Sequence, residues 1–195
     1  MKSTLIKQAI YLPILYFGTV VLASLFSYDY SHLRQHASEL AINENQIAGT
    51  IFNVGIFITG ISLVLYGIGL MLKFKIQFLI TSILIIVFGI TFIFGAIYEI
   101  GSPWHGLYGI GLSVMMLPFT FLYEMKKKDV KRLTKSITIL SALIIFFYFW
   151  AMVARLDPME QRGLTQRIFG VFVFGFISYT AYINSKLKAD ECTTN

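Results

Sequence analysis

Six long apolar segments, separated by short polar connectors, constrain this 195-residue chain more than any other feature. Each segment has close to the ~20 residues that an α-helix needs to cross the hydrocarbon core of a bilayer. Only 13% of the residues are charged, about half the share found in soluble domains. The sequence therefore predicts an all-α membrane protein, one six-helix transmembrane bundle over residues 1–195, with spans near residues 9–28, 48–72, 76–98, 105–123, 136–154 and 167–184.

The first apolar segment has a second interpretation. Lys2 and Lys7 precede it, and Val21-Leu22-Ala23 resembles a weak cleavage site, as in a secretory signal peptide. We favour an uncleaved span because the apolar run exceeds the 7–15 residues usual for a signal core. Pro13 near its start is compatible with a transmembrane helix.

The basic residues predict the orientation of the bundle. An even number of spans places both termini on one side of the membrane, and twelve of the 16 basic residues fall on that side. The positive-inside rule then places both termini in the cytoplasm of a multi-pass cell-membrane protein. The net charge of +6 is thus an orientation signal and an attraction to anionic lipid, and nucleic acid is not a predicted partner. The inner set is Lys2, Lys7, Lys73, Lys75, Lys126, Lys127, Lys128, Lys131, Arg132, Lys135, Lys186 and Lys188; the outer set is Arg34, Arg155, Arg162 and Arg167.

The ten acidic residues divide the other way, with more of them on the outer face. The outer acids are Asp29, Glu39, Glu44, Glu99, Asp157 and Glu160, and the inner ones are Glu124, Asp129, Asp190 and Glu191. The single cysteine, Cys192, lies in a polar tail. One cysteine excludes an intramolecular disulfide and a cysteine-based metal cluster.

The connector between the first two spans has helical periodicity. Its apolar stripe, at i, i+4, i+7 and i+8, consists of Leu33, Ala37, Leu40 and Ala41. Its polar stripe, about 100° round the same helix, consists of His32, His36 and Glu39. The pattern predicts a short amphipathic helix on the outer face, lying on the membrane surface.

Four stretches carry a resemblance to a known family. They read SHLRQHASEL, IFNVGIFITG, WHGLYGIGLSVMMLPF and RGLTQRIFGVF. The chain resembles the prokaryotic membrane family catalogued as domain of unknown function 998, which implies a six-span bundle over almost the whole chain and no particular activity. The matching features are Ser38-Glu39-Leu40, Asn53 with Gly60, His105-Gly106, and Gly163-Leu164 with Gln166-Arg167; Ala41 stands where the family often has glycine.

The first functional hypothesis is a polar outer pocket that binds or handles a lipid or amphiphile, without a cofactor. Its candidate residues lie at or near span ends, where polar side chains usually face the bundle and pair; they are Ser38, Glu39, Asn53, Glu99, His105, Arg155 and Arg167. We expect ion pairs between Arg167 and Glu39 and between Arg155 and Glu99, and an arginine fork would suit a phosphate head. We also expect the short helix to pack over spans two, four and six, gathering Glu39, Asn53, His105 and Arg167 into one site.

The second hypothesis is a metal-dependent lipid hydrolase or transferase. Histidines at i and i+4, a carboxylate at i+7 and a fourth ligand from another loop would hold zinc or another divalent ion, which would activate water. That ligand set is His32, His36, Glu39 and His105. The spacing lacks the additional glutamate of the strong zinc signature, and interfacial polar residues would give the same pattern.

Two further classes stay open. In a structural or accessory protein, the same ion pairs would only join helix ends. A small transporter is less favoured, because no span interior carries an ionisable residue of the kind that marks ion pathways. Membrane lipids are the predicted partners, and the sequence leaves a homo-oligomer open.

Overall fold

Six long helices make up the fold in a computed structural model, which describes residues 2–42, 46–125 and 131–187. They are α1 Lys2–Ser24, α2 Gln46–Phe74, α3 Leu79–Ile97, α4 Leu107–Glu124, α5 Arg132–Val153 and α6 Arg162–Lys186. All six are long and apolar enough to cross a membrane, and the three described ranges contain no strand. The predicted all-α, six-span class is confirmed. Some charged residues and the cysteine assigned above lie outside the described residues: Glu44, Lys126, Lys127, Lys128, Asp129, Lys188, Asp190, Glu191 and Cys192.

Two of the helices change type along their length. In α1, a 3-10 turn at Gln8–Tyr11 separates the α-helical parts Lys2–Lys7 and Leu12–Ser24. Pro13 lies in the first turn of the second part, where no backbone N–H is needed. In α4, the 3-10 segment Leu107–Met116 precedes the α-helical part Leu117–Glu124. Tyr108 and Gly109 adopt positive φ angles of 55° and 79° at its start, so the chain enters α4 through a left-handed turn.

Consecutive helices run antiparallel, and side chains join their ends. The Lys73 ammonium at the end of α2 donates to the carbonyl of Asn184 near the end of α6, over 2.8 Å. The backbone N–H of Ile80 at the start of α3 donates to the carboxylate of Glu124 at the end of α4, also over 2.8 Å. The bundle thus has two distinct ends. We call one the histidine end, after His32, His36 and His105, and the other the lysine end, after Lys2, Lys7, Lys73, Lys75, Lys131, Lys135 and Lys186.

Glycines let α2 and α3 approach at backbone distance. A Cβ atom on Gly60 would lie 2.7 Å from the carbonyl oxygen of Gly89, and a Cβ on Gly89 would lie 2.7 Å from that of Gly60. Two helical turns further along α2, a Cβ on Gly67 would lie 2.8 Å from the Ser82 carbonyl oxygen. Small residues at such a crossing permit the close van der Waals packing that holds helices together in lipid.

Polar side chains connect α1, α2 and α6 through the buried core. The Gln8 amide donates to the Ser62 carbonyl over 2.8 Å, and the Tyr66 hydroxyl lies 2.9 Å from that of Thr180. The Ser178 hydroxyl donates to a carbonyl of α1. Interhelical hydrogen bonds of this kind stabilise membrane bundles, at roughly 0.6 kcal/mol each on average. These three helices therefore form the fixed frame on which the histidine end is built.

The amphipathic helix predicted between the first two spans is not confirmed. Residues 31–36 form turns, and only the 3-10 helix Ala37–Ile42 follows them. Ala37 and Leu40 are buried against α1 and α2 as the stripe predicted, but Leu33 is 56% exposed. The periodicity assumed a continuous ladder of helical hydrogen bonds, whereas the connector has only isolated turn bonds, such as that from Gln35 N–H to the Ser31 carbonyl, and the Leu33 carbonyl bonds to α6. His32 and His36 therefore do not share a helix face.

We predict that Gly60→Ala destabilises the bundle, because its new methyl group would lie 2.7 Å from the Gly89 carbonyl oxygen and 2.9 Å from the Ile93 backbone nitrogen, and backbone atoms cannot turn aside as a side chain can. Overpacking of this kind costs about 1–3 kcal/mol. Thermal unfolding of the purified protein, followed by intrinsic fluorescence, measures the effect. Gly18→Ala is the matched control, because a Cβ on Gly18 meets nothing within 4 Å and alanine favours helix. Equal midpoints for the two variants would contradict the close α2–α3 contact.

Candidate functional site

The connector between α1 and α2 packs directly on the first turn of α6. A Cβ atom on Gly163 would lie 2.4 Å from the carbonyl oxygen of Gln35 and 2.8 Å from that of His32. The backbone N–H of Leu164 donates to the Leu33 carbonyl over 3.1 Å. The first N–H groups of a helix lack partners within the helix, so the connector supplies an acceptor that α6 needs. Glycine at 163 is what permits this contact.

Arg167 holds the same connector from one turn further along α6. Its Nη1 donates to the carbonyls of Gln35, over 2.9 Å, and of Gly163, over 2.8 Å. Its Nη2 donates to the Tyr30 hydroxyl, and the guanidinium lies 5.6 Å from the centre of the Tyr30 ring. The hydroxyl in turn donates to the His36 carbonyl over 3.1 Å. Burial raises the pKa of Tyr30, while the positive charge of Arg167 acts against that rise.

Glu39 pairs with a different arginine from the one expected. Its carboxylate lies 3.6 Å from the guanidinium of Arg162 and accepts a hydrogen bond from the His36 backbone N–H over 2.8 Å. The predicted Glu39–Arg167 pair is therefore wrong, because Arg167 donates instead to backbone carbonyls of the connector and of α6 and to the Tyr30 hydroxyl. The second expected pair is absent too: within the described ranges no ion pair joins Glu99 to Arg155, and both residues are exposed.

The expected metal ligands do not converge. His32 bonds through Nε2 to the Ser24 hydroxyl over 3.0 Å, and His105 bonds through Nδ1 to the Tyr98 carbonyl over 2.8 Å. His36 has a buried Nδ1 atom without a partner. Among the residues that the structure describes, no three histidine, cysteine or acidic side chains are grouped so that they could hold a metal ion. The set His32, His36, Glu39 and His105 is thus not brought together.

A cavity of about 370 Å³ opens at the histidine end between the connector and the helices. One part of its lining is apolar and comes from α1, α2, α3 and α6. We call it the apolar wall; it comprises Tyr16, Phe52, Ile56, Phe88, Phe92 and Phe169. The polar side chains nearest the helix ends form what we call the mouth, and they are Ser38, His105 and Gln166. Ser38 and His105 are sequence candidates that the structure does place together.

Glycines from the loop before α4 and from α4 itself border the cavity. Gly106, Gly109 and Gly111 line it, together with Gly95 of α3. A Cβ on Gly106 would meet no atom closer than 4.0 Å, so the space beside it is open. Gly109 has φ +79°, a conformation that costs other residues energy. This side of the cavity is therefore bounded largely by backbone.

The remaining candidates lie beside the cavity and not in its lining. Asn53 has a buried Oδ1 atom without a hydrogen-bond partner, while its neighbours Phe52 and Ile56 face the cavity. Glu39 and Arg167 hold the connector against α6 without lining the cavity. Gln166 is a lining residue that the sequence reasoning missed as a site residue, although it stands in the Gln166-Arg167 motif. Its carbonyl accepts from the Ala37 backbone N–H over 2.8 Å, so it also positions the connector.

We predict that Arg167→Gln raises the pKa of His32. Partial burial lowers that pKa from the usual 6.5, and the positive charge of Arg167 lowers it further; removing the charge removes the second cause. NMR titration of histidine-labelled protein measures the shift, since the chain has three histidines. Arg155→Gln is the control, because it removes an exposed arginine from the same end and should leave His32 unchanged. An unchanged His32 in Arg167→Gln would show that Arg167 does not act on this ring.

Comparison with known proteins identifies the family. A family model described as "Protein of unknown function (DUF998)" matches residues 11–182. No curated protein and no solved structure matches the chain. The matched range begins within α1 and ends within α6, so it includes all six helices, the docked connector and every residue that lines the cavity. The resemblance noted in the sequence is confirmed, and the chain belongs to the DUF998 family of membrane-protein-like helical bundles.

Proposed function

We propose that the protein binds a lipid or another amphiphile in the cavity at the histidine end. The observation that carries this proposal is the division of one cavity into an apolar wall and a polar mouth. Its volume of about 370 Å³ falls within the roughly 300–1,000 Å³ usual for small-molecule pockets. Such pockets are mostly apolar, with a few polar groups that fix the orientation of the ligand. An amphiphile has the same division of chemistry along its length.

The depth of the apolar wall supports an acyl or isoprenoid chain as the apolar part. Ile56 lies ten residues along α2, and Phe88 lies nine residues before the end of α3. At ~1.5 Å per residue, these positions are roughly 15 Å and 14 Å from the helix ends. Both are well inside the apolar segments. A chain that entered at the mouth would therefore remain among apolar side chains.

Ring packing gives this wall a defined shape. Tyr16 stacks on Phe174 with 4.4 Å between ring centres, and Phe92 contacts the same Phe174 ring edge-on at 5.6 Å. Phe88 contacts Phe92 at 4.8 Å. Aromatic pairs in these arrangements add about 0.5–1.5 kcal/mol each beyond the area that they bury. The wall is therefore held before a ligand arrives, and binding does not need to order it.

The docked connector has the role of positioning the mouth in this proposal. Ser38 follows directly on Ala37, whose N–H is held by Gln166. Arg167 and the Glu39–Arg162 pair keep the preceding turns against α6. These charged residues act through the connector and not by touching the ligand.

We also propose that the histidine end faces outward and that both termini are cytoplasmic in the cell membrane, as the basic residues of the lysine end support. Labelling with a membrane-impermeant maleimide tests this orientation. Cys192, the single cysteine of the chain, should be labelled only after lysis. Ser102→Cys in a Cys192→Ser background places a thiol at the histidine end and should be labelled in intact cells. The reverse pattern would invert the proposed orientation.

Filling the cavity tests the binding proposal. Ile56→Trp adds bulk to a wall residue that is 5% exposed, whereas Ile58→Trp adds the same bulk on α2 at a site that is 47% exposed. We expect native mass spectrometry of the gently purified protein to show bound lipid in the native chain and in Ile58→Trp. In Ile56→Trp the occupancy should fall at least about tenfold. Circular dichroism checks that both variants fold. Equal occupancy in two folded variants would mean that lipid does not bind in this cavity.

A further inference from the structure

Among the residues that the structure describes, the lining of the cavity contains no acidic side chain, no lysine and no arginine. This is unexpected at an end of the bundle where arginines and acids are numerous. From this lining we infer that the head of the bound amphiphile is an uncharged hydrogen-bonding group, such as an alcohol, an amide or an ester, and not a phosphate or a quaternary ammonium. The inference rests on the proposed function and names the class of ligand for the same cavity.

The charged residues of the histidine end are committed elsewhere. Arg167 is bonded to one connector carbonyl, that of Gln35, to the Gly163 carbonyl of α6 and to the Tyr30 hydroxyl. Arg162 and Glu39 pair with each other. Glu99 and Arg155 are exposed and outside the lining. A charged head in the mouth would therefore lose water without gaining a counter-charge, and burying an unpaired ion is strongly unfavourable.

The mouth offers hydrogen bonds that suit a neutral head. His105 uses Nδ1 to reach the Tyr98 carbonyl; a carbonyl only accepts, so Nδ1 carries the proton and Nε2 of the neutral ring is an acceptor. Gln166 uses its carbonyl to accept from Ala37, which leaves its NH₂ group as a donor. The Ser38 hydroxyl can do either. An alcohol could donate to His105 and accept from Gln166.

This combination would select against two kinds of competitor. A site built to hydrogen-bond a hydroxyl or amide discriminates strongly against an analogue that lacks the group, because its own polar atoms are then left unpaired. A plain hydrocarbon of the same length is therefore disfavoured. A phosphate is disfavoured for the opposite reason, since two or more of its charged oxygens would face neutral partners. Both effects act on the head group alone. Ligands that share one chain and differ only in the head group therefore separate selectivity for the head from binding of the chain.

Four probes with the same eighteen-carbon, cis-9-unsaturated chain test the inference: oleyl alcohol, oleamide, oleyl phosphate and (Z)-9-octadecene. The full-length purified protein is titrated with each in detergent at pH 8, and binding is measured by native mass spectrometry. We expect the alcohol and the amide to bind at least about tenfold more tightly than the phosphate and the hydrocarbon. Stronger or equal binding of the phosphate would overturn the inference and leave the proposed function standing. Absence of binding by all four probes would overturn both.

A charge placed in the mouth provides the second measurement. Ser38→Lys introduces an ammonium into the lining, whereas Ser31→Lys introduces one into the connector outside it. We expect Ser38→Lys to shift the preference towards oleyl phosphate by at least about tenfold and Ser31→Lys to leave the order unchanged. Thermal unfolding confirms that both variants are folded. Equal effects of the two lysines would place the phosphate at the surface and overturn the assignment of the head to this mouth.

Discussion

The contact between the connector backbone and the first turn of α6 determines the shape of the histidine end. Without a side chain at Gly163, the connector lies close enough for Leu33 to accept a backbone hydrogen bond from α6. Arg167 then reaches the same segment from one turn further on. Helix α6 thereby holds the connector through the carbonyls of Leu33 and Gln35 and through the Tyr30 side chain. Ser38 and the 3-10 helix that follows take their positions from this docking.

A consequence of this docking is that charge at the histidine end stabilises structure and is kept out of the cavity. Guanidinium groups are good donors to several carbonyls at once, and Arg167 is used in that way. The partly exposed Glu39–Arg162 ion pair contributes little to the stability of the fold in water. It nevertheless pairs two charged side chains with each other that would otherwise lie unpaired near the mouth. What remains to line the cavity are groups that hydrogen-bond without net charge. The same residues that looked like phosphate ligands therefore make a phosphate a poor fit.

The sequence predicts the spans well because length and hydropathy act locally. A run of about 20 apolar residues must become a helix in lipid, whatever its neighbours are. The connector could not be predicted in this way, because part of its backbone bonds to α6, more than 120 residues away. The spacing of His32, His36 and Glu39 had meaning only on a helix that does not form there. Likewise, the partner of Glu39 depends on which arginine the docked connector brings within reach of its carboxylate, and periodicity carries no information on that.

The cavity itself follows from the geometry of α4. This helix has 18 residues, which as a regular α-helix would reach only about 27 Å, short of the ~30 Å hydrocarbon core. Its 3-10 segment Leu107–Met116 opens with three residues of positive φ, so the tighter winding of the remaining residues does not extend the helix to the full thickness. A 3-10 helix is narrower, and here it begins among Gly106, Gly109 and Gly111. The narrow start of α4, bordered by glycines, thus leaves the space in which we place the ligand.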